Sequence, residues 1–329
     1  MGGGMGGSFV SLEYVFMNDR LPVTVITGFL GSGKTTLLNR ILHNLNGLKV
    51  AILVNEFGDI NIDSQLLVTV EKDMIELTNG CICCTLNDGL LNAMHKLLEQ
   101  RDRIDAVIIE TTGLADPLPI ALTLLGTELR DMTTLDSILT VVDAEHFEVS
   151  LLTSDVLFQQ VIYGDIILVN KTDLVSTEKL ESIERQIEDI KEYARILRMQ
   201  DGNVPLPLIL DVQLGDTGTY QKASQDDVLI SHVKNDGYVS VSFKSKRPFD
   251  LKKFQEFLDY QLPANVFRMK GILWFQESNA QHVFQLSGKR FQIDDGIWET
   301  EPNNQLVCIG QKINPLQIQQ MLTNCLTRV

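Results

Sequence analysis

The chain has 329 residues, enough for one large domain or two ordinary ones, and 44% hydrophobic with 22% charged residues is a globular composition. A formal charge of −15 excludes a broad nucleic-acid or anionic-membrane surface, because phosphate neutralisation needs clustered Lys and Arg. No apolar run reaches the roughly 18 residues of a membrane span, and five cysteines without regular spacing do not make a disulfide framework.

The first 20 residues, MGGGMGGSFVSLEYVFMNDR, lack the basic start and long apolar core of a signal peptide. Position 6 is Gly where a myristoylation signal wants Ser or Thr. The glycines of residues 1–20 read as a flexible leader, and without those signals the cytoplasm is the expected compartment. VTVITG (23–28) then reads as a buried strand. After a Gly-rich turn, Leu37, Leu38, Ile41, Leu42 and Leu45 repeat with helical spacing. Gly47 ends that helix, and KVAILVNEFG (49–58) reads as a second buried strand. A strand, loop, helix and strand in this order begin a parallel α/β sheet.

The pattern continues with a helix over 86–100 and buried strands at 104–110, 137–144 and 165–170. A charged amphipathic helix follows at 176–194, with Ser176 or Thr177 as its cap. The pattern lapses at 211–237, which is polar and Gly-containing. The expected organisation is an α/β domain over 21–220, a linker over 221–236 and a smaller α+β domain over 237–329. In that second domain YVSVSF, FRMKGILWF, HVFQLSG and QLVCIG read as strands. RPFDLKKFQEFLDYQL reads as a helix, and a terminal helix starts at Asn314-Pro315 as cap and first-turn proline.

Residues 28–35 match G-x-x-x-x-G-K-[ST] in full, after a strand and opening a helix. In such a loop the backbone N–H groups from Gly28 through Gly31, Ser32 and Gly33 curl around a β-phosphate. Lys34 supplies charge to the β and γ oxygens, and the Thr35 hydroxyl is placed to ligate Mg²⁺. NKTD (170–173) ends a buried strand, where Asp173 can accept from guanine N1–H and the exocyclic amine. Adenine offers no such donor pair. The blander alternative is a surface turn with Asp173 capping. ETTG (110–113) ends another strand, so Glu110 points to the crevice where open α/β sheets bind ligands. Gly113 is placed to offer its N–H to a γ-phosphate, which makes Lys34, Glu110 and Gly113 the candidate catalytic residues. NEFG (55–58) brings Glu56 to the same edge, with Asp59 beside it as magnesium, water or metal contacts or, equally for Asp59, as loop solvation.

NGCICCT (79–85) crowds Cys81, Cys83 and Cys84 into four positions. Thiolates bind soft and borderline metals, and Cys-x-x-Cys is the usual Zn²⁺ knuckle spacing. No second such pair and no His-x-x-x-His occurs, so local motifs cannot close a four-sulfur site. Three sulfurs with an open fourth position suit handing a metal on better than holding a fold. A redox pair or buried thiols is the competing reading. Cys308 and Cys325 read as core, and His43, His95 and His146 as structural. The cluster lies between NEFG and ETTG, in the part of a GTPase that rearranges when the γ-phosphate leaves. Metal and nucleotide affinities would then be linked reciprocally.

With GFLGSGKTT, NEFG, NGCICC, ETTGLADP and NKTDL in this order, the chain closely resembles the CobW family of metallochaperone GTPases, relatives of the HypB, UreG and MeaB maturation GTPases. The likeness covers nearly everything beyond residue 20, including RPFDLKKFQEFL, FRMKGILWF and NQLVCIG in the second domain. It implies a P-loop GTPase domain with a mostly parallel sheet, followed by a CobW carboxy-terminal α+β domain. It implies a slow GTPase using GTP/GDP and Mg²⁺, carrying Zn²⁺ (or Co²⁺) to a client metalloprotein, with a nucleotide-dependent homo-oligomer as a further expectation. It places metal on Cys81, Cys83 and Cys84 with Glu56 as auxiliary ligand, phosphates on Gly31 through Thr36, and guanine on Asn170, Lys171 and Asp173. The His-rich stretch of many relatives is lacking, since only His232 stands in that region, and so is the Cys-Pro client-docking motif of some zinc-transferring members. The alternative is a GTP-dependent switch or metal sensor that recruits partners without delivering metal.

Overall fold

The protein is described by a computed structural model over residues 20–45, 47–54, 75–76, 86–126, 128–147, 154–210, 230–231, 238–298 and 300–327. Cys81, Cys83, Cys84, Glu56, Asp59 and the leader up to residue 19 lie outside the described residues, as does most of the expected linker.

The first sheet comprises β1 (Leu21–Thr27), β2 (Val50–Val54), β3 (Ile75–Glu76), β4 (Ala106–Glu110), β5 (Thr133–Asp143), β6 (Ile166–Asn170) and β7 (Ile196–Arg198). Their order is β3-β2-β4-β1-β5-β6-β7, and every neighbouring pair is parallel. Runs such as AVIIE and IILVN are buried along their whole length, as strands covered on both faces must be. Alternation along β5 sorts the two faces. Leu139 and Val141 join Leu37, Leu38 and Ile41 of the helix Lys34–His43. Ile138 packs with Met94, Leu97, Ile120 and Leu124 from the helices Leu86–Leu98 and Leu118–Gly126. Val142, on that second face, meets Leu157, Val161, Ile183 and Ile187 of the helices Asp155–Tyr163 and Thr177–Ile190. Each fully buried aliphatic of this kind contributes about 1.5–3 kcal/mol before chain entropy is counted.

The second sheet comprises β8 (Ile230–Ser231), β9 (Val239–Ser245), β10 (Val266–Leu273), β11 (Gln281–Ser287), β12 (Arg290–Gly296) and β13 (Asn304–Gly310). It is antiparallel throughout, in the order β12-β11-β10-β13-β9-β8. The alternating burial of β13 marks one apolar face. Two helices cover that face, building a core around Phe249, Phe254, Phe257, Phe284 and Leu322. The first starts as an α-helix at Leu251–Glu256 and widens to π geometry over Phe257–Gln261. The second, Pro315–Cys325, is capped by Asn314, whose side chain accepts from the N–H groups of Leu316 and Gln317.

The second sheet is fastened to the amino-terminal half of the parallel strands. Between Val23 and Thr24 the β1–β5 register slips, so Asp136 of β5 is the extra residue of a bulge. Arg268 of β10 pairs with both Asp136 oxygens, and Thr24 Oγ1 donates to Asp136 Oδ2 at 3.1 Å. Arg290 of β12 donates to the Leu135 and Asp136 carbonyls and to Asp165 Oδ2, at 2.7, 2.8 and 2.8 Å. Asp165 in turn accepts the N–H of Ile138 at 2.8 Å. The polar groups that the bulge removes from the ladder are thus satisfied by the second sheet.

Several elements lie beyond the sequence expectation. Strand β12, the helices Leu118–Gly126 and Asp155–Tyr163, and the short β7 have weak periodicity; β12 carries Arg290, Asp294 and Asp295 because it is an edge strand. Strand β5 begins at Thr133, ahead of the expected 137, because its polar start is buried under the arginines. Among the described residues no helix is long and apolar enough to cross a membrane.

Candidate functional site

The segments following β1, β4, β5, β6 and β7 all leave the same edge of the parallel sheet, the carboxyl ends of its strands. Strand β1 lies between β4 and β5, at the point where the chain's path across the sheet reverses, which is where open α/β folds bind ligands. Nearly every described candidate residue is on this edge, opposite the bulge that the second sheet grips.

Gly28, Gly31 and Gly33 adopt φ values of 141°, 72° and 103°, curling the loop between β1 and the helix Lys34–His43. At Gly33 glycine is also demanded by space, since a Cβ would stand 2.3 Å from Asn170 Nδ2. That amide donates to Ser32 O at 2.9 Å, so the end of β6 is tied into the loop. Lys34 is buried, and its Nζ donates to Gly28 O at 2.9 Å and Phe29 O at 3.2 Å, holding the ammonium across the loop's mouth. Thr36 faces solvent one position on from Thr35.

Thr35 Oγ1 donates to Glu110 Oε1 at 2.9 Å, bringing the helix start and the end of β4 together. Glu110 is buried. Beyond it Thr111 bonds back to β1, its N–H to Ile26 O at 2.9 Å and its hydroxyl to Thr27 Oγ1 at 3.0 Å. Gly113 then packs directly on the phosphate loop, where a Cβ would fall 2.7 Å from Leu30 N.

On the other flank Lys171 sits in the left-handed region with φ 59°, and its Nζ donates to Asp143 Oδ2 at 2.7 Å. Burial disfavours the charged form of Asp143. Hydrogen bonds from Lys171, His146 and the Glu145 N–H, with the charge of Lys171, outweigh it and hold the carboxyl below its ordinary value. Asp173 is exposed in the turn Thr172–Leu174. Asp143, Glu145 and His146 gather their ligand atoms within 4.8 Å, but Lys171 already neutralises the central carboxylate.

Sequence reading missed two contributors to this edge. One is Asp143, which ends β5 and holds the lysine of NKTD. The other is the loop Met199–Asn203 after β7. Thr172 Oγ1 donates to Met199 O at 3.1 Å, and Arg40 Nε to Asp201 O at 3.1 Å, so the loop is fixed against both NKTD and the first helix. The Asp201-Gly202 turn, with φ 49° and 69°, was the available signal.

The donor set can be tested against a nucleotide. Ser32 Oγ and Asn170 Oδ1 are buried with no hydrogen-bond partner among the described residues. A buried hydroxyl in the Gly-rich loop suits a phosphate oxygen, and the amide oxygen that opens NKTD suits a base donor. Thr35 and Glu110 supply the oxygen ligands that a hard divalent cation requires. The chemistry present fits both groups.

Residues 22–198 match the CobW/HypB/UreG nucleotide-binding domain, and residues 238–326 match the cobalamin synthesis protein CobW C-terminal domain. The zinc-regulated GTPase metalloprotein activator 1 of Dictyostelium discoideum is 36% identical, over 85% of this chain and 69% of that protein. The protein of the same name from Schizosaccharomyces pombe is 39% identical over 60% of this chain and 50% of its own length. The zinc chaperone YjiA of Escherichia coli is 31% identical over 91% of this chain and 96% of that protein.

Proposed function

Because the chain belongs to the CobW/HypB/UreG nucleotide-binding family and is a GTPase, we propose that it is a GTP-driven zinc chaperone, loading the metal on Cys81, Cys83 and Cys84 and handing it to a client metalloprotein. The observation that carries the reading is the convergence at one sheet edge of a phosphate loop, the Thr35–Glu110 pair and a Gly113 segment pressed on that loop.

In this proposal the loop from Gly28 to Thr36 holds the phosphates, and Lys34 concentrates positive charge where negative charge develops. Thr35 and Glu110 would hold Mg²⁺, which when bound draws charge from the phosphate oxygens. Gly113 presents its N–H to the terminal phosphate. Asn170, Lys171 and Asp173 read the guanine, with Lys171 steadied by Asp143. The parallel-sheet domain spans 21–220 and the second domain 237–329, joined through 221–236.

Zinc is cargo here. Its ligands fall in the chain between β2 and the helix Leu86–Leu98, thus between the segments that leave β2 and β4, so their arrangement would follow the nucleotide state. Glu56 is the proposed auxiliary ligand, Co²⁺ the proposed alternative metal and the reducing cytoplasm the compartment that suits a three-cysteine metal site.

The test is zinc affinity by chelator competition, with GDP and then with a non-hydrolysable GTP analogue, in the unmodified chain and in Cys83→Ala. A tenfold or greater difference between nucleotides, about 1.4 kcal/mol of coupling, that disappears in the variant supports nucleotide-gated transfer. Equal affinity in both nucleotide states overturns it.

A further inference from the structure

The helix Asp155–Tyr163 contains a side chain that the reading above leaves without a task. Gln160 is fully buried. Its Nε2 donates to Ala115 O at 3.0 Å and, at a weaker 3.4 Å, to Gly113 O. Both neighbours are carbonyl oxygens, so only the NH₂ end of the amide can face them. The other end, Oε1, is buried with no hydrogen-bond partner among the described residues. An unpaired buried acceptor is destabilising, and a leucine of similar volume would fill this space without it. What the amide adds is its grip on the two carbonyls.

The two ends of that grip differ in rigidity. Gln160 itself is fixed, because its backbone carbonyl accepts from Thr140 Oγ1 of β5 at 2.6 Å and from Gly164 N at 3.0 Å. Leu157 and Val161 on either side of it are buried in the core beneath. Among the described residues, the segment it holds has further hydrogen-bond anchors at its ends. Thr111 is bonded to β1, and Asp116 Oδ1 accepts from Leu118 N at 2.8 Å. Between these anchors, besides the Ala115 N to Thr112 O turn bond, Gly113 meets Leu30 on one side and Gln160 on the other among the described residues. Leu114, at the crest, is 54% exposed.

We propose that Gln160 is a positioning residue for GTP hydrolysis, acting through Gly113: it clamps Gly113–Ala115 against the phosphate loop, so that the Gly113 N–H meets the terminal phosphate without first ordering the segment. This rests on the assignment of Gly113 as the γ-phosphate contact. An interaction made only through Gly113 is absent with GDP, so the clamp acts on the triphosphate state and on turnover, not on diphosphate binding.

The experiment compares the full chain with Gln160→Leu and Gln160→Glu, measuring GDP and non-hydrolysable GTP analogue affinities, kcat and KM. The expected result for Gln160→Leu is GDP affinity within twofold of the unmodified chain, with analogue affinity and kcat each reduced about tenfold, a 1.4 kcal/mol effect. Gln160→Glu keeps the shape and offers one donor only when protonated. Its analogue affinity therefore rises as pH falls from about 8 toward 5.5, while that of Gln160→Leu does not follow it. Equal losses for GDP and analogue mean a structural role and overturn the proposal, as does unchanged kcat with unchanged analogue affinity. If the unmodified chain itself fails to distinguish the analogue from GDP, the γ-phosphate assignment of Gly113 falls, and this inference with it.

Discussion

The hydroxyl of Thr35 and the carboxylate of Glu110, 75 positions apart in the chain, meet at 2.9 Å. One opens the helix after β1 and the other closes β4, and the pairing of these adjacent parallel strands brings them together. Removing either oxygen should impair the metal-assisted step while leaving the loop to hold the phosphates. Glu110→Ala is expected to lower kcat about a hundredfold. GDP affinity measured in a chelator should stay within a few-fold of the unmodified chain. Steady-state turnover beside fluorescent-GDP titration checks this.

Gly113 touches the phosphate loop through backbone, so a methyl group cannot be relieved by a side-chain rotation. A Cβ there stands 2.7 Å from Leu30 N and 2.8 Å from Leu30 Cα. Gly113→Ala should push the segment off the loop. The analogue should bind about tenfold more weakly, an effect on the order of 1–2 kcal/mol of the kind strained or displaced backbone carries. GDP binding should change little, and isothermal titration with both nucleotides distinguishes this from global damage.

The arginines of the second sheet make a different prediction. Asp165 is buried, and Arg290 is its guanidinium partner. Arg290→Ala leaves a buried carboxylate and two bulge carbonyls without that partner. The expected cost is on the order of 3 kcal/mol, read as an earlier denaturant midpoint. Unfolding should also become biphasic as the second sheet separates from the first.

Cysteine chemistry should divide the five thiols. Burial pushes Cys308 up to about 12 and Cys325 up to about 11, so neither supplies thiolate near neutral pH. Maleimide at pH 8 should label no more than the three thiols of the CICC cluster in the native chain, and all five once it is unfolded. Zinc should suppress the native labelling, and mass spectrometry of the digested chain assigns the sites.

The Asp143–Lys171 pair carries a pH signature of definite sign. The carboxyl of Asp143 is held below its ordinary value of 3.8 in the folded chain. Its stabilising contribution is therefore fully present above that value and is lost as pH falls through the lower folded one. The stability that Asp143 adds over Asp143→Asn should shrink in acid below about 4. It should be modest, under about 1 kcal/mol, because the pair is partly exposed to solvent. GDP affinity should fall in the variant because Lys171 loses the group that orients it.

What the residues determined alone was everything whose physical cause is local. A β-branched run into a Gly-rich turn into a Leu-spaced helix specifies a phosphate loop, since the strand, the positive φ values and the helix start all arise within about 20 consecutive residues. Ser176 as a cap and Asn314-Pro315 as a helix start were legible for the same reason. The tertiary structure decided what depends on strand order. Nothing near Gln160 in the chain points to Gly113, 47 positions away, or near Arg290 to Asp165, 125 positions away. Those contacts exist because β5 lies between β1 and β6 and carries a bulge at Asp136. An amphipathic pattern records which face of an element is buried, but not which neighbour buries it, and the polar contacts that tune this site lie between such neighbours.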